Sequence, residues 1–147
     1  MQRGPLRVVL VTRSFVVKDG KLLLIRRSPT DNYQPGLWEC PGGKAEYSQE
    51  LSDSRKREVE EETGFTTALV SSLSFNDSHV IANGRYEGLL SLKIFNITRV
   101  TGGEFKLSEE HDAFAWVSYE EMLTYRLSSE VRNAAKVLRK LLQKVAK

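Results

Sequence analysis

Residues 42–65 read GGKAEYSQELSDSRKREVEEETGF, and this stretch determines most of what the sequence predicts about the fold. Its pattern predicts a helix over Leu51–Thr63, which a glycine then ends, because glycine commonly follows the last turn of a helix. Glu58, Glu61 and Glu62 stand at positions i, i+3 and i+4 of this helix. That spacing places three carboxylates on one face, where they repel each other unless a cation lies among them.

Charge alone leaves two interpretations of this acidic face open. A run of acidic residues is usually a solvated surface. The alternative is a site for a hard cation such as Mg²⁺ or Mn²⁺, which prefers carboxylate oxygens as ligands. Gly42 and Gly43 before the helix favour the cation site, because glycine lets the backbone bend sharply and approach a metal or ligand closely. Arg57 lies four residues before Glu61 and is placed to orient its carboxylate.

The order of the remaining elements predicts a mixed sheet with helices around it. Residues 26–35 read as a polar loop and Gly102-Gly103 as a turn, while Ser118 with Glu121 predicts the start of a short helix. The expected strands are 6–17, 21–25, 37–40, 66–75, 88–100 and 113–117, and a final helix begins at Ser128 or Ser129. We therefore expect one domain of residues 1–147 of class α/β (α+β), an α/β/α sandwich with a central mixed β-sheet.

The stretch from Gly43 to Phe65 resembles the Nudix box, G-x5-E-x7-R-E-U-x-E-E-x-G-U, where U is a bulky apolar residue. Residues 36–43, GLWECPGG, resemble the usual approach to that box. The predicted hairpin before it and the strand–helix ending after it also fit, so the resemblance covers nearly the whole chain and implies the Nudix-type sandwich. One position departs, because Gln49 stands where the family has a glutamate, and Glu50 follows it. The positions filled in register are Gly43, Arg57, Glu58, Val59, Glu61, Glu62, Gly64 and Phe65. Ser54 and Arg55 stand where the family often has small apolar residues.

In this family the helix glutamates bind one to three divalent cations, and water attacks one phosphorus of a diphosphate. The resemblance implies Mg²⁺, with Mn²⁺ as the alternative, held by Glu58, Glu61, Glu62 and the carbonyl of Gly42. It also implies that Arg57 holds a ligand glutamate in place.

The resemblance suggests further residues around the metal. Glu110 is similar to a loop glutamate that some members use as general base, with Glu109 next to it. Glu61 is the other candidate base. For Glu109 and Glu110, an ordinary acidic loop is the alternative.

Arg26, Arg27 and Lys44 are candidate phosphate-binding residues, each with a plain surface role as its alternative. His79 and His111 are read as surface or packing residues, and Cys40 as a small buried hydrophobe.

The implied activity is Mg²⁺-dependent hydrolysis of a diphosphate linkage in a small nucleotide, with a MutT-like nucleoside triphosphate favoured. The alternatives are ADP-ribose or dinucleoside polyphosphate hydrolysis, or a catalytically weak Nudix-fold binding module. A net charge of +3 suits a small anionic substrate and argues against a nucleic acid polymer, since 19 acidic residues are mixed with 22 basic ones. A single cysteine excludes an internal disulfide and indicates a cytoplasmic location. No membrane segment is expected, and a homodimer is left open.

Overall fold

The structure, a computed structural model, describes residues 4, 6–31, 34–46 and 49–145, with the backbone alone at 74 and 143–145. Within those residues the elements are β1 Val8–Lys18, β2 Lys21–Arg27, β3 Trp38–Glu39, β4 Gly42–Lys44, α1 Leu51–Thr63, β5 Phe65–Val80, β6 Leu90–Gly103, β7 His111–Val117, α2 Tyr119–Met122 and α3 Ser129–Val145. None of the helices so described is long and apolar enough to cross a membrane.

The strands form one mixed sheet. Its main order is β3-β2-β1-β6-β5, with β4 added to β1 and β7 added to β2. β1 runs antiparallel to β2 and β4 but parallel to β6. A parallel pair needs a long crossover, and here the chain between β1 and β6 includes the helix α1. The prediction of a central mixed sheet is confirmed.

The two helices α1 and α3 cover opposite faces of this sheet. Side chains alternate along a strand, so Phe15 and Val16 of β1 point to different sides. Phe15 belongs to the larger apolar cluster, which includes Leu138 of α3. Val16 belongs to a second cluster, which includes Val59 of α1. The α/β/α sandwich is therefore also confirmed, and the α1 side carries the acidic residues that the sequence singles out.

Two segments that the sequence predicts to lie outside the strands belong to them, because strand pairing extends the sheet. Arg26 and Arg27 lie in β2 and not in a loop, since β3 and β7 pair with that end of the strand. Gly102 and Gly103 are the last residues of β6 and not a turn, since they pair with the start of β5. In both cases the partner strand comes from a distant part of the chain, which a local pattern does not report.

Helix α1 begins and ends where the sequence predicts. Glu50 precedes it without a side-chain cap. Gly64 ends it in the left-handed region, with φ of 78°, and donates its N–H to Glu60 O at 2.7 Å. A side chain at position 64 would also meet the carbonyl of Glu104. The Ser118–Glu121 capping box is present at the start of α2, as predicted.

Candidate active site

An acidic cleft of about 430 Å³ opens beside α1. Glu58, Glu61 and Glu62 line it from the helix, because i, i+3 and i+4 positions share one face. The loop before β7 lines the opposite side with Ser108, Glu109 and Glu110. The structure thus brings together the three helix glutamates and the loop glutamates that the sequence singles out, although they are about fifty positions apart in the chain.

The glycines of β4 allow the strand to approach these carboxylates. A Cβ atom at Gly43 would overlap the carboxylate of Glu58, so only glycine fits there without displacing that side chain. Gly42 donates its backbone N–H to Glu62 Oε1 at 2.6 Å. This contact uses the nitrogen of Gly42, whereas the metal ligand expected from the sequence is its carbonyl, and that role stays a prediction.

Burial makes two of the helix carboxylates, Glu58 and Glu62, difficult to ionise. It raises the pKa of Glu62 to about 8, although the charge of Arg13 opposes the shift. Burial also raises the pKa of Glu58, against the opposing charge of Arg57. Carboxylates of this kind gain most from a cation that carries two charges and accepts oxygen ligands. The donor set, which consists of carboxylate oxygens, therefore fits a divalent cation such as Mg²⁺.

Arg57 connects the helix glutamates to the segment before the helix. Its Nη1 lies 2.9 Å from Glu58 Oε1 and 3.3 Å from Glu61 Oε1. Its Nη2 donates to the carbonyl of Lys44 at 3.2 Å, and its Nε donates to Gln49 Oε1 at 3.2 Å. A guanidinium held at several points fixes the carboxylates that it contacts. The positioning role that the Nudix resemblance implies for Arg57 stays a prediction.

A buried charged cluster, consisting of Arg13, Glu39 and His111, supports the cleft from within the sheet. Glu39 Oε1 lies 3.0 Å from His111 Nε2, and Arg13 Nη2 lies 3.7 Å from Glu39 Oε2. His111 Nε2 lies 3.7 Å from Glu62 Oε2, so the cluster reaches the cleft. Burial raises the pKa of Glu39, but the charge of Arg13 and the His111 hydrogen bond outweigh it and lower the pKa to about 2.

Sequence reasoning misses this cluster. It assigns no role to Arg13 or Glu39. Of the two roles that it leaves open for His111, surface or packing, burial excludes the first, and the side chain also forms hydrogen bonds with Ser108 and Glu39. The available signal is a charged residue at an inward-facing position within an apolar strand. Glu39, Glu62 and His111 lie close enough to share an ion. However, Arg27 Nη1 donates to Glu39 at 3.1 Å and Arg13 is adjacent, so guanidinium groups already supply the positive charge there.

The three basic residues expected to bind phosphate lie on strands that border the cleft but do not line it. Arg26 pairs with Asp112, with Nε 2.8 Å from Oδ1, and stacks over Trp38. Arg27 pairs with Asp31 as well as with Glu39. Lys44 is exposed, and its Nζ lies 4.7 Å from the ring centre of Tyr86. Their roles towards a substrate remain predictions.

Comparison with known proteins identifies the family. The model of the NUDIX domain matches residues 7–141. CTP pyrophosphohydrolase of Escherichia coli K12 is 30% identical over 123 residues, which cover 84% of this chain and 85% of that protein. Nucleoside triphosphatase NudI of Escherichia coli O139:H28 is 26% identical over 127 residues, covering 83% and 90% of the two chains.

Solved structures agree with this result. The crystal structure of a MutT NUDIX hydrolase from Burkholderia pseudomallei superposes with a TM-score of 0.71 at 26% identity, covering 89% of this chain and 98% of that one. Residues 7–141, which the family model matches, contain both α1 with its glutamates and the loop that faces them. Family members generally use a divalent metal to cleave phosphoric anhydride bonds. The chain belongs to the NUDIX domain family and is a Nudix hydrolase.

Proposed function

We propose that this hydrolase is a Mg²⁺-dependent pyrophosphohydrolase of a nucleoside triphosphate or another small nucleotide with a diphosphate linkage. The observation that carries the proposal is the convergence of Glu58, Glu61 and Glu62 with Glu110 in one cleft. The likeness to a CTP pyrophosphohydrolase and to a nucleoside triphosphatase supports the choice of a triphosphate. The modest net charge of +3 supports a small substrate, since a polymer needs many phosphate contacts.

In this proposal Glu58, Glu61, Glu62 and the Gly42 carbonyl hold the cation. A bound cation of this kind neutralises diphosphate charge and lowers the pKa of a water molecule. Glu110 accepts a proton as the water oxygen attacks phosphorus, and Glu61 is the alternative base. The P–O bond between the α- and β-phosphates breaks, so that water and a triphosphate yield a nucleoside monophosphate and pyrophosphate.

Arg26, Arg27 and Lys44 are proposed to orient the phosphate tail by charge-assisted hydrogen bonds. Their strands support this proposal. Arg27 is the register partner of His111, and Ser28 N donates to Glu110 O at 3.1 Å, which ties the end of β2 to the loop of the cleft. Lys44 ends β4, the strand whose glycines contact the helix glutamates.

Other assignments remain as alternatives to this proposal. ADP-ribose or a dinucleoside polyphosphate would use the same chemistry on a different leaving group. A catalytically weak binding module would account for Gln49, but the retention of Glu58, Glu61 and Glu62 favours an enzyme. A cytoplasmic location and a homodimer stay predictions.

A substrate panel tests the proposal. Nucleoside triphosphates, dinucleoside polyphosphates, ADP-ribose and capped RNA should be compared with Mg²⁺ at low and moderate salt. We expect a small nucleotide, with a triphosphate first, to have the highest kcat/KM and a weak dependence on salt. A preference for capped RNA that collapses as salt rises would overturn the small-molecule proposal. A preference for ADP-ribose would retain the chemistry and overturn the triphosphate assignment.

A further inference from the structure

We propose that Ser54 is a positioning residue of this active site, which acts by fixing the side-chain amide of Gln49 so that Arg57 stays in place. Ser54 lies in α1 and is fully buried. Its Oγ donates to Gln49 Oε1 at 3.0 Å. The same oxygen accepts a hydrogen bond from Arg57 Nε at 3.2 Å. Ser54 thus reaches Arg57 through a single shared acceptor.

The chemistry of an amide explains why a second donor matters here. A guanidinium only donates hydrogen bonds, so the Gln49 atom that faces Arg57 must be the carbonyl oxygen. The two ends of an amide differ, and a rotation of 180° would present its NH₂ group to Arg57 instead. The Ser54 hydroxyl, as a further donor to Oε1, selects the orientation that accepts from Arg57. A carboxylate would need no such selection, because both of its oxygens accept.

The effect on the active site follows from the contacts of Arg57. Its Nη1 lies within ion-pair distance of both Glu58 and Glu61. When the Gln49 amide turns away, Nε loses its acceptor, and the guanidinium that positions these two carboxylates gains freedom. The pair Ser54–Gln49 therefore takes the place of a charged residue at position 49.

A double-mutant cycle tests this inference. The four proteins are the native chain, Ser54→Ala, Gln49→Glu and the double variant. Two quantities are measured for each: the affinity for Mn²⁺ alone, by electron paramagnetic resonance, and kcat/KM on the best substrate of the panel. With Gln49 present, Ser54→Ala should weaken Mn²⁺ binding and lower kcat/KM by about 10-fold, as expected for a residue that orients metal ligands. In the Gln49→Glu background, the same change should have an effect within about two-fold.

Two controls separate positioning from packing. Ser52→Ala removes an exposed hydroxyl from the same helix and should leave both quantities unchanged. Ser54→Cys keeps the shape of the side chain, with a slightly larger atom, but donates weakly, so it should resemble Ser54→Ala in the Gln49 background. Thermal melting of each variant reports any loss of folding.

The inference rests on the proposed metal-dependent function, and the two readouts keep their failures apart. If no substrate of the panel is cleaved, the proposed function fails, and the Mn²⁺ cycle still decides the role of Ser54. If Ser54→Ala changes Mn²⁺ affinity by the same factor in both backgrounds, or by less than about two-fold with Gln49, Ser54 is not a positioning residue and the inference is overturned.

Discussion

Glu62 accepts a hydrogen bond from the backbone N–H of Gly42 at 2.6 Å, which joins the last turn of α1 to strand β4. The bond stabilises the ionised form of a carboxylate that burial otherwise disfavours. Without a cation, burial still dominates, and the pKa of Glu62 lies at about 8. This carboxylate therefore couples the stability of the metal-free protein to pH.

The stability of the metal-free protein should fall as pH rises from about 4.5 to about 8. In that range the folded protein binds the Glu62 proton more tightly than the unfolded chain, whose pKa is near 4.5. Glu62→Gln should reduce this loss, because the amide does not ionise. Melting temperatures in EDTA at about pH 6 and about pH 8.5 check this, and a parallel decline in both proteins would argue against it.

Removing one carboxylate from the metal site should greatly reduce activity without unfolding the protein. Glu61→Gln and Glu62→Gln should each lower kcat by on the order of 10²-fold or more, since each removes charge that acts on the transition state. Steady-state rates and circular dichroism provide the measurement. Glu60→Gln, an exposed change on the same helix, is the matched control and should be nearly silent. Near-native turnover in either site variant would exclude that residue as a metal ligand.

Glu110 should affect the rate of the reaction more than metal binding. Glu110→Gln should lower kcat by about 10²-fold, the usual range for a general base, while Mn²⁺ affinity changes little. Glu109→Gln is the neighbouring control, because both residues are exposed and line the same cleft. If Glu109→Gln lowers kcat more than Glu110→Gln does, Glu109 is the general base in place of Glu110. If neither changes kcat, Glu61 is the remaining candidate base.

Glu39 should be essential to stability because it balances buried positive charge. Glu39→Gln leaves Arg13 buried without that partner, and breaking a buried pair typically costs about 3–5 kcal/mol. The exposed pair Arg26–Asp112 provides the contrast, since solvent screens its charges and Asp112→Asn should destabilise the protein much less than Glu39→Gln. Urea unfolding of both variants compares the two values. Equal losses of unfolding free energy in the two variants would show that burial does not determine how much Glu39 contributes to stability.

Some features of the fold and of the site are encoded locally in the sequence. The face shared by Glu58, Glu61 and Glu62 follows from helical spacing, and Gly64 ends the helix by its own conformational preference. The sequence therefore predicts α1 and its acidic face correctly. The facing loop glutamates are identified through a family resemblance, because no local rule relates residue 110 to residue 61.

Features that depend on pairing between distant segments are not predicted. Arg13 and Glu39 meet because β4, which follows β3 closely in the chain, pairs with β1 at Arg13, and neither residue has a local signal for a partner. The sequence predicts a loop at Arg26, because the strand that pairs with it, β7, lies far along the chain. The hydrogen bonds among Ser54, Gln49 and Arg57 are not predicted for a different reason, because they depend on side-chain geometry that the spacing of the residues does not specify.

The most direct test of the account identifies the products of one reaction under three conditions. A nucleoside triphosphate is incubated with the native protein and Mg²⁺, with the native protein and EDTA, and with Glu61→Gln and Mg²⁺, and the products are separated by ion-exchange chromatography. We expect nucleoside monophosphate and pyrophosphate in the first reaction and almost none in the other two. Cleavage that persists in EDTA, or at the native rate in Glu61→Gln, would contradict the claim that the α1 glutamates act through a divalent cation.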